Sequence, residues 1–117
     1  MSTIEKRLEA DFTRWCQSQQ IVAIKGPVVT SKGFPDRFLQ LPKGGGTIYV
    51  EFKGTSYYDL TPLQRWWEEY LRGSNPHRYF LVATDEELEH LKQMCLKFIA
   101  IGKELVSFEN ELLNKKL

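Results

Sequence analysis

Three consecutive glycines, Gly44, Gly45 and Gly46, follow Pro42 and Lys43 and separate two short strand-like runs. Such a run reads as a flexible hairpin connection, so the chain must turn back on itself here. Residues 37–41 read as the strand before the turn and residues 47–53 as the strand after it. Side chains at i and i+2 of a strand share a face. Ile48, Val50 and Phe52 therefore occupy one face of the later strand, and Tyr49, Glu51 and Lys53 the other. The short loop makes the pair antiparallel. Gly33-Phe34-Pro35-Asp36 leads into the earlier strand, and Asp36 precedes Glu51 by fifteen residues. Two carboxylates and a lysine converging on one point suit a divalent cation beside a phosphodiester. The carboxylates supply hard oxygen ligands for Mg²⁺ or Mn²⁺. The lysine supplies a compact charge for a water or a phosphate.

The flanking segments alternate between helical and extended patterns. Ile4, Leu8, Phe12 and Trp15 recur at helical spacing and predict a helix over residues 3–19. Ser2 caps it, and Glu5 stands at the third helical position, a capping-box pattern. Residues 21–25 read as a short strand, with loops over residues 27–33 and 54–60. Thr61-Pro62-Leu63-Gln64 opens a second helix, with Thr as N-cap, Pro at the first position and Gln at the third. Its expected buried stripe is Leu63, Trp67, Tyr70 and Leu71, with Trp66 beside it. Residues 78–83 read as a fourth strand. Thr84 and the acids after it cap a final helix with the stripe Leu88, Leu91, Cys95 and Phe98. After Gly102, Leu105, Phe108 and Leu112 keep helical spacing but could equally pack on another chain. The order α-β-β-β-α-β-α, with a crossover into the last strand, predicts an α/β layered fold with a mixed sheet flanked by helices.

Length and composition narrow the function classes. The 117 residues fit one domain with one core. No apolar run approaches the roughly 20 residues of a membrane helix, and the N-terminus lacks the apolar stretch of a signal peptide. Cys16 and Cys95 lie in different expected helices and in no Cys-x-x-Cys pair, which disfavours zinc and disulfide readings and points to a reducing cytoplasm. Net charge is +1 overall, but residues 25–54 carry +3. Lys25, Lys32, Arg37 and Lys43 of that stretch are candidate phosphate contacts, against the alternative of ordinary solvated bases. Tyr57 and Tyr58 suit a DNA contact or solvent-edge packing equally. His77 and His90 stand alone, and Trp66 and Trp67 fit core or subunit interface better than base stacking. No phosphate-binding glycine motif or nucleophile–histidine pair supports a small-molecule enzyme.

Taken in order, these motifs resemble the PD-(D/E)XK nuclease superfamily, and more closely the stand-alone form of the virus-type replication-repair nuclease (VRR-NUC) domain. Gly33-Phe34-Pro35-Asp36 is similar to that family's Gly-x-Pro-Asp and Glu51-Phe52-Lys53 to its Glu-x-Lys. Leu60-Thr61-Pro62-Leu63-Gln64-Arg65 is similar to its Leu-Ser-Pro-Leu-Gln-Arg, and Glu5 to its first-helix Glu. The likeness covers about residues 4–90 of a single domain spanning 1–117; the helical tail over 103–117 has no counterpart in the family's pattern. The resemblance implies a restriction-endonuclease-like core and a Mg²⁺- or Mn²⁺-dependent endonuclease acting on branched DNA such as four-way junctions. It implies a homodimer in the cytoplasm, the host's if the source is viral. Asp36 and Glu51 would hold the metal with the Phe52 backbone carbonyl, and Glu5 directly or through water. Glu9, one turn on, is a rival for that last role. Lys53 would orient the attacking water and Gln64 would position it. A catalytically silent nucleic-acid-binding or assembly module with the same fold is the alternative.

Overall fold

The computed structural model describes residues 2–27, 32–54 and 60–116. Tyr57 and Tyr58 lie outside them. The elements are α1 (Thr3–Ser18), β1 (Val22–Lys25), β2 (Arg37–Leu41), β3 (Gly46–Phe52), α2 (Pro62–Ser74), β4 (Tyr79–Val82) and α3 (Asp85–Lys116). The four strands form one sheet in the order β1-β2-β3-β4. The first three are an antiparallel meander, and β4 joins β3 in parallel after the α2 crossover. The result is a mixed α/β layer with helices on both faces.

One sheet face carries the main core. Leu39 and Leu41 of β2, Ile48, Val50 and Phe52 of β3 and Val82 of β4 meet Leu8, Phe12 and Cys16 of α1 and Leu88, Leu91 and Cys95 of α3. Cys16 completes the α1 stripe, whereas Ile4, expected inside, is exposed. Both cysteines are free, and burial pushes each thiol up to about 12. They are packing residues that stay protonated at neutral pH.

The other face is covered by α2 through an aromatic cluster. Phe34 sits 4.9 Å from Trp67 and about 6 Å from Phe38 and Tyr49, edge-on to each. Trp67 of the expected α2 stripe is part of this cluster. Leu71 is the one buried residue of that stripe, while Leu63 and Tyr70 are exposed beside Trp66. Trp66 and Tyr70, one turn apart, stack at 5.4 Å on the outer side.

The glycine connection is a packed turn and not a flexible one. Lys43, Gly44 and Gly46 adopt positive φ of 57°, 81° and 86°. Gly102 of α3 lies directly on this turn, where a Cβ would fall 2.5 Å from the Gly44 carbonyl carbon and 2.6 Å from Lys43 O. Gly102 thus serves close approach and does not end the helix. α3 runs unbroken through it for 32 residues, so the separate tail is the far end of one helix. Arg78 fastens the same corner: its guanidinium donates to the Gly45 carbonyl and lies 3.7 Å over the Phe98 ring. Gly102→Ala is therefore expected to lower stability by about 1–3 kcal/mol, because backbone must move to admit the methyl group; a thermal melt reads the shift. Among the described residues, no helix is long and apolar enough to cross a membrane.

Candidate active site

The hairpin places the two carboxylates. Arg37 pairs with Val50, so the next step of the same register sets Asp36 opposite Glu51. Directly opposed residues of an antiparallel pair point to one face. Lys53 N–H is bonded to Val82 O across the β4 side at 2.9 Å. The backbone groups of Phe52 therefore face the β2 side, and its N–H donates to Asp36 Oδ2 at 2.8 Å. The Phe52 carbonyl looks the same way.

Glu51 is only 3% exposed and is the one buried charged side chain among the described residues. Its Oε1 accepts from Gln64 Nε2 at 3.3 Å. Its Oε2 is buried with no protein donor. Burial first, and the nearby Asp36 second, push the Glu51 carboxyl up to about 8, with Lys53 pulling the other way. Asp36 is also raised, chiefly by burial, against the Phe52 N–H that lowers it. The charge of Asp36 across the hairpin thus favours the protonated form of Glu51.

Gln64 is the hub of the remaining contacts. Its Oε1 accepts from Lys53 Nζ at 2.9 Å and from Thr61 N–H at 2.9 Å. Its own N–H donates to Thr61 Oγ1 at 3.2 Å, completing the capping box of α2. Capping and site roles, rivals in the sequence, are combined in one side chain. The start of α2 sits close because of Gly33, at φ +82°, where a Cβ would lie 2.6 Å from the Leu63 carbonyl carbon. That contact explains the glycine of Gly-Phe-Pro-Asp.

Glu5 behaves differently from the expected capping box. Ser2 Oγ accepts from Glu5 N–H at 3.1 Å, but the Glu5 carboxylate turns away to accept from Gly54 N–H at 2.9 Å. Gly54 in turn admits the N-cap of α1, since a Cβ there would strike Ser2 Oγ. Glu5 therefore reaches the end of β3 where Lys53 leaves the sheet. Glu9, one turn on, is engaged by Arg37, whose Nε donates to its Oε2 at 2.8 Å, and its charge also acts on Asp36.

The basic residues divide. Lys25 and Lys32 are exposed, and Lys25 pairs with Arg37 beside Asp36 at the site end of the sheet. Arg37 is engaged by Glu9 and the Ala23 carbonyl, so it does not project as a free phosphate contact. Lys43 lies in the hairpin turn at the opposite end of β2 and β3. No local signal marked the Glu9–Arg37 pair, which joins residues 28 apart. Arg37→Ala is expected to cost roughly 2–3 kcal/mol, because it strands a part-buried carboxylate. Lys25→Ala and Lys43→Ala should stay within about 0.5 kcal/mol of the parent in chemical denaturation.

Among the described residues, no three His, Cys, Asp or Glu side chains are gathered into a metal cage. The site offers two facing carboxylates instead. Mg²⁺ is commonly held by one or two carboxylates, with waters and substrate phosphates completing its shell. The donorless Glu51 oxygen, the mutual repulsion of Asp36 and Glu51 and their all-oxygen donor set fit such an ion. His77 and His90 lie apart, lining a cleft with Glu68, Arg72 and Glu87. Comparison of the chain with protein-family models, with curated proteins and with solved structures finds no match.

Proposed function

We propose that this chain is a divalent-metal-dependent DNA endonuclease with a PD-(D/E)XK-type core similar to the VRR-NUC domain, selective for branched DNA. The observation that carries the reading is the facing Asp36–Glu51 pair, with Glu51 buried and one of its oxygens donorless, bordered by Lys53 and Gln64. Asp36, Glu51 and the Phe52 carbonyl would hold Mg²⁺ or Mn²⁺, with Glu5 in reach of the same strand end. Bound there, the ion supplies positive charge against the phosphate oxygens and lowers the pKa of a nearby water.

The chain's own groups do the rest. Glu51 would have to lose its proton to serve as a ligand, so metal binding there would release a proton. Lys53, aimed by Gln64, uses its remaining N–H donors to orient the attacking water or to neutralise a phosphate oxygen. The water oxygen bonds to phosphorus as the bond to the 3′ oxygen breaks, leaving a 5′-phosphate and a 3′-hydroxyl. Lys25 and Lys32 flank the site and would meet the DNA backbone. Incubation with supercoiled plasmid tests the activity. Nicking with Mg²⁺ or Mn²⁺ that stops in EDTA is the expected result; binding without cleavage under all three conditions would favour the silent module.

A further inference from the structure

Trp66, expected in the core or a subunit interface, stands on the outer face of α2. Helical spacing puts Leu63, Trp66 and Tyr70 on one side, each with 52–55% of its surface open. The Trp66 and Tyr70 rings lie parallel, with an interplanar angle of 6°. Trp67 meets Trp66 edge-on at 5.1 Å and continues inward to Phe34 at 4.9 Å. Two neighbouring rings therefore hold the Trp66 indole in one plane although it is exposed. An aromatic pair one turn apart stabilises a helix only slightly, and burial would stabilise both rings far more.

This face borders the candidate active site. Gln64, which contacts Glu51 and Lys53, precedes Trp66 by two residues and points to the inner side of the same turn. The aromatic cluster that holds Trp66 reaches Phe34, two residues before Asp36. The two sides of a helix are about 10–12 Å apart, a span that a short run of unpaired nucleotides crosses. Trp66 also lines a cleft of about 470 Å³ with Leu60, Pro62, Arg65 and Glu69. Arg65 and Glu69 are exposed and their charges balance, so the cleft has no net charge with which to draw a phosphate. It offers a flat apolar face with a donor and an acceptor at its rim. A nucleobase has the matching chemistry, a π-face to stack and an edge carrying both donors and acceptors.

We infer that the Trp66–Tyr70 face is a stacking platform for an unpaired base of the DNA, so that the preferred substrate carries single-stranded nucleotides beside the cut, as in a flap or a splayed fork. The inference rests on the nuclease reading for what enters the neighbouring site. A fully paired duplex keeps its bases stacked on one another and gives the platform nothing to hold. Stacking on an aromatic ring tolerates any base, because every base presents a π-face. The platform therefore selects for strand opening and not for sequence.

Fluorescence anisotropy in EDTA, where no strand is cut, compares the full chain on a labelled duplex with a splayed single-stranded end and on the same duplex with blunt ends. The parent is expected to bind the fork more tightly. Trp66→Ala should weaken fork binding about tenfold or more and leave blunt-duplex binding unchanged. Val22→Ala, at an exposed apolar residue of β1, should leave both unchanged. Oligothymidylate should quench the tryptophan emission of the parent and that of Trp66→Phe much less. Circular dichroism melts confirm that the variants fold. Equal fork affinity in the parent and Trp66→Ala, or an equal loss on fork and duplex, would overturn the inference. So would parent-like DNA binding by Trp66→Ala together with a loss of self-association, which would assign the face to protein. Platform-dependent fork binding without cleavage in Mg²⁺ or Mn²⁺ would remove the nuclease reading and keep the stacking surface. Cleavage of the fork in either metal, with parent-like affinity in Trp66→Ala, would keep the nuclease and remove the platform.

Discussion

Glu51→Gln is expected to abolish strand cleavage, by at least about a thousandfold, while stabilising the metal-free protein at alkaline pH. The two effects share one cause. The folded protein holds a proton on Glu51 up to about pH 8, whereas an ordinary glutamate loses it near 4.5. Unfolding between those values releases a proton, so the stability tied to this group is fully present below about 4.5 and is lost as pH rises through about 8. The metal-free parent should lose about 2–4 kcal/mol across that window, a discounted figure because Asp36 shares the titration. Glutamine stays neutral throughout. Its oxygen can still accept from Gln64, and its amide can donate to Asp36. Urea denaturation in EDTA at several pH values checks this: the parent curve should slope downward and the variant curve should be flat. Divalent ions should restore stability to the parent at high pH by binding the folded form, with little effect on the variant. Asp36→Asn should match it in activity.

The second large effect concerns the Lys53–Gln64 contact. Lys53→Ala is expected to slow the chemical step by about 10²- to 10³-fold, with a smaller change in metal affinity. Single-turnover rates beside calorimetric metal titrations separate the two. Gln64→Ala removes the acceptor that Lys53 and Thr61 share, so it should lose both turnover and about 1 kcal/mol of stability. Thr61→Ala supplies the control. It deletes the hydroxyl of the cap at a similar stability cost, yet its backbone N–H still holds Gln64 Oε1. Near-normal rates in Thr61→Ala and a strong loss in Gln64→Ala would place Gln64 in the chemistry as well as in the cap. Equal rates in the two variants would leave it a capping residue only.

The parts of this structure that sequence made legible are those set by short-range rules. Strand alternation told which face of β3 carries Glu51 and Lys53, and the glycine turn made β2 and β3 antiparallel. Thr-Pro-Leu-Gln located the start of α2 to the residue, because cap, proline and N3 glutamine act within one turn. The less legible parts depend on what meets what. Gly102 has the look of a helix stop, and its role becomes plain only against the Gly44–Gly45 backbone. Leu63 and Tyr70 have helical spacing but lie exposed, while Trp67 and Leu71 of the same stripe pack inward. Arg37 resembled a phosphate contact until Glu9, on another element, was seen to hold it. Glu5 fitted a capping box, and only the fold shows its carboxylate diverted to Gly54. The convergence of Asp36, Glu51 and Lys53 at one strand end was expected from their spacing, and that of Gln64 from the family resemblance alone; the burial of Glu51 and its donorless oxygen were not expected.

The most direct test of the metal-dependent nuclease assignment compares the parent chain with Glu51→Gln on one end-labelled four-way junction and the matching linear duplex. Each is incubated with Mg²⁺, with Mn²⁺ and with EDTA. The expected result is cleavage of the junction by the parent in either metal, weaker cleavage of the linear duplex, 5′-phosphate ends, and none of these in EDTA or with the variant. Cleavage by Glu51→Gln at the parent's rate, or no cleavage by a folded parent in either metal, would contradict it.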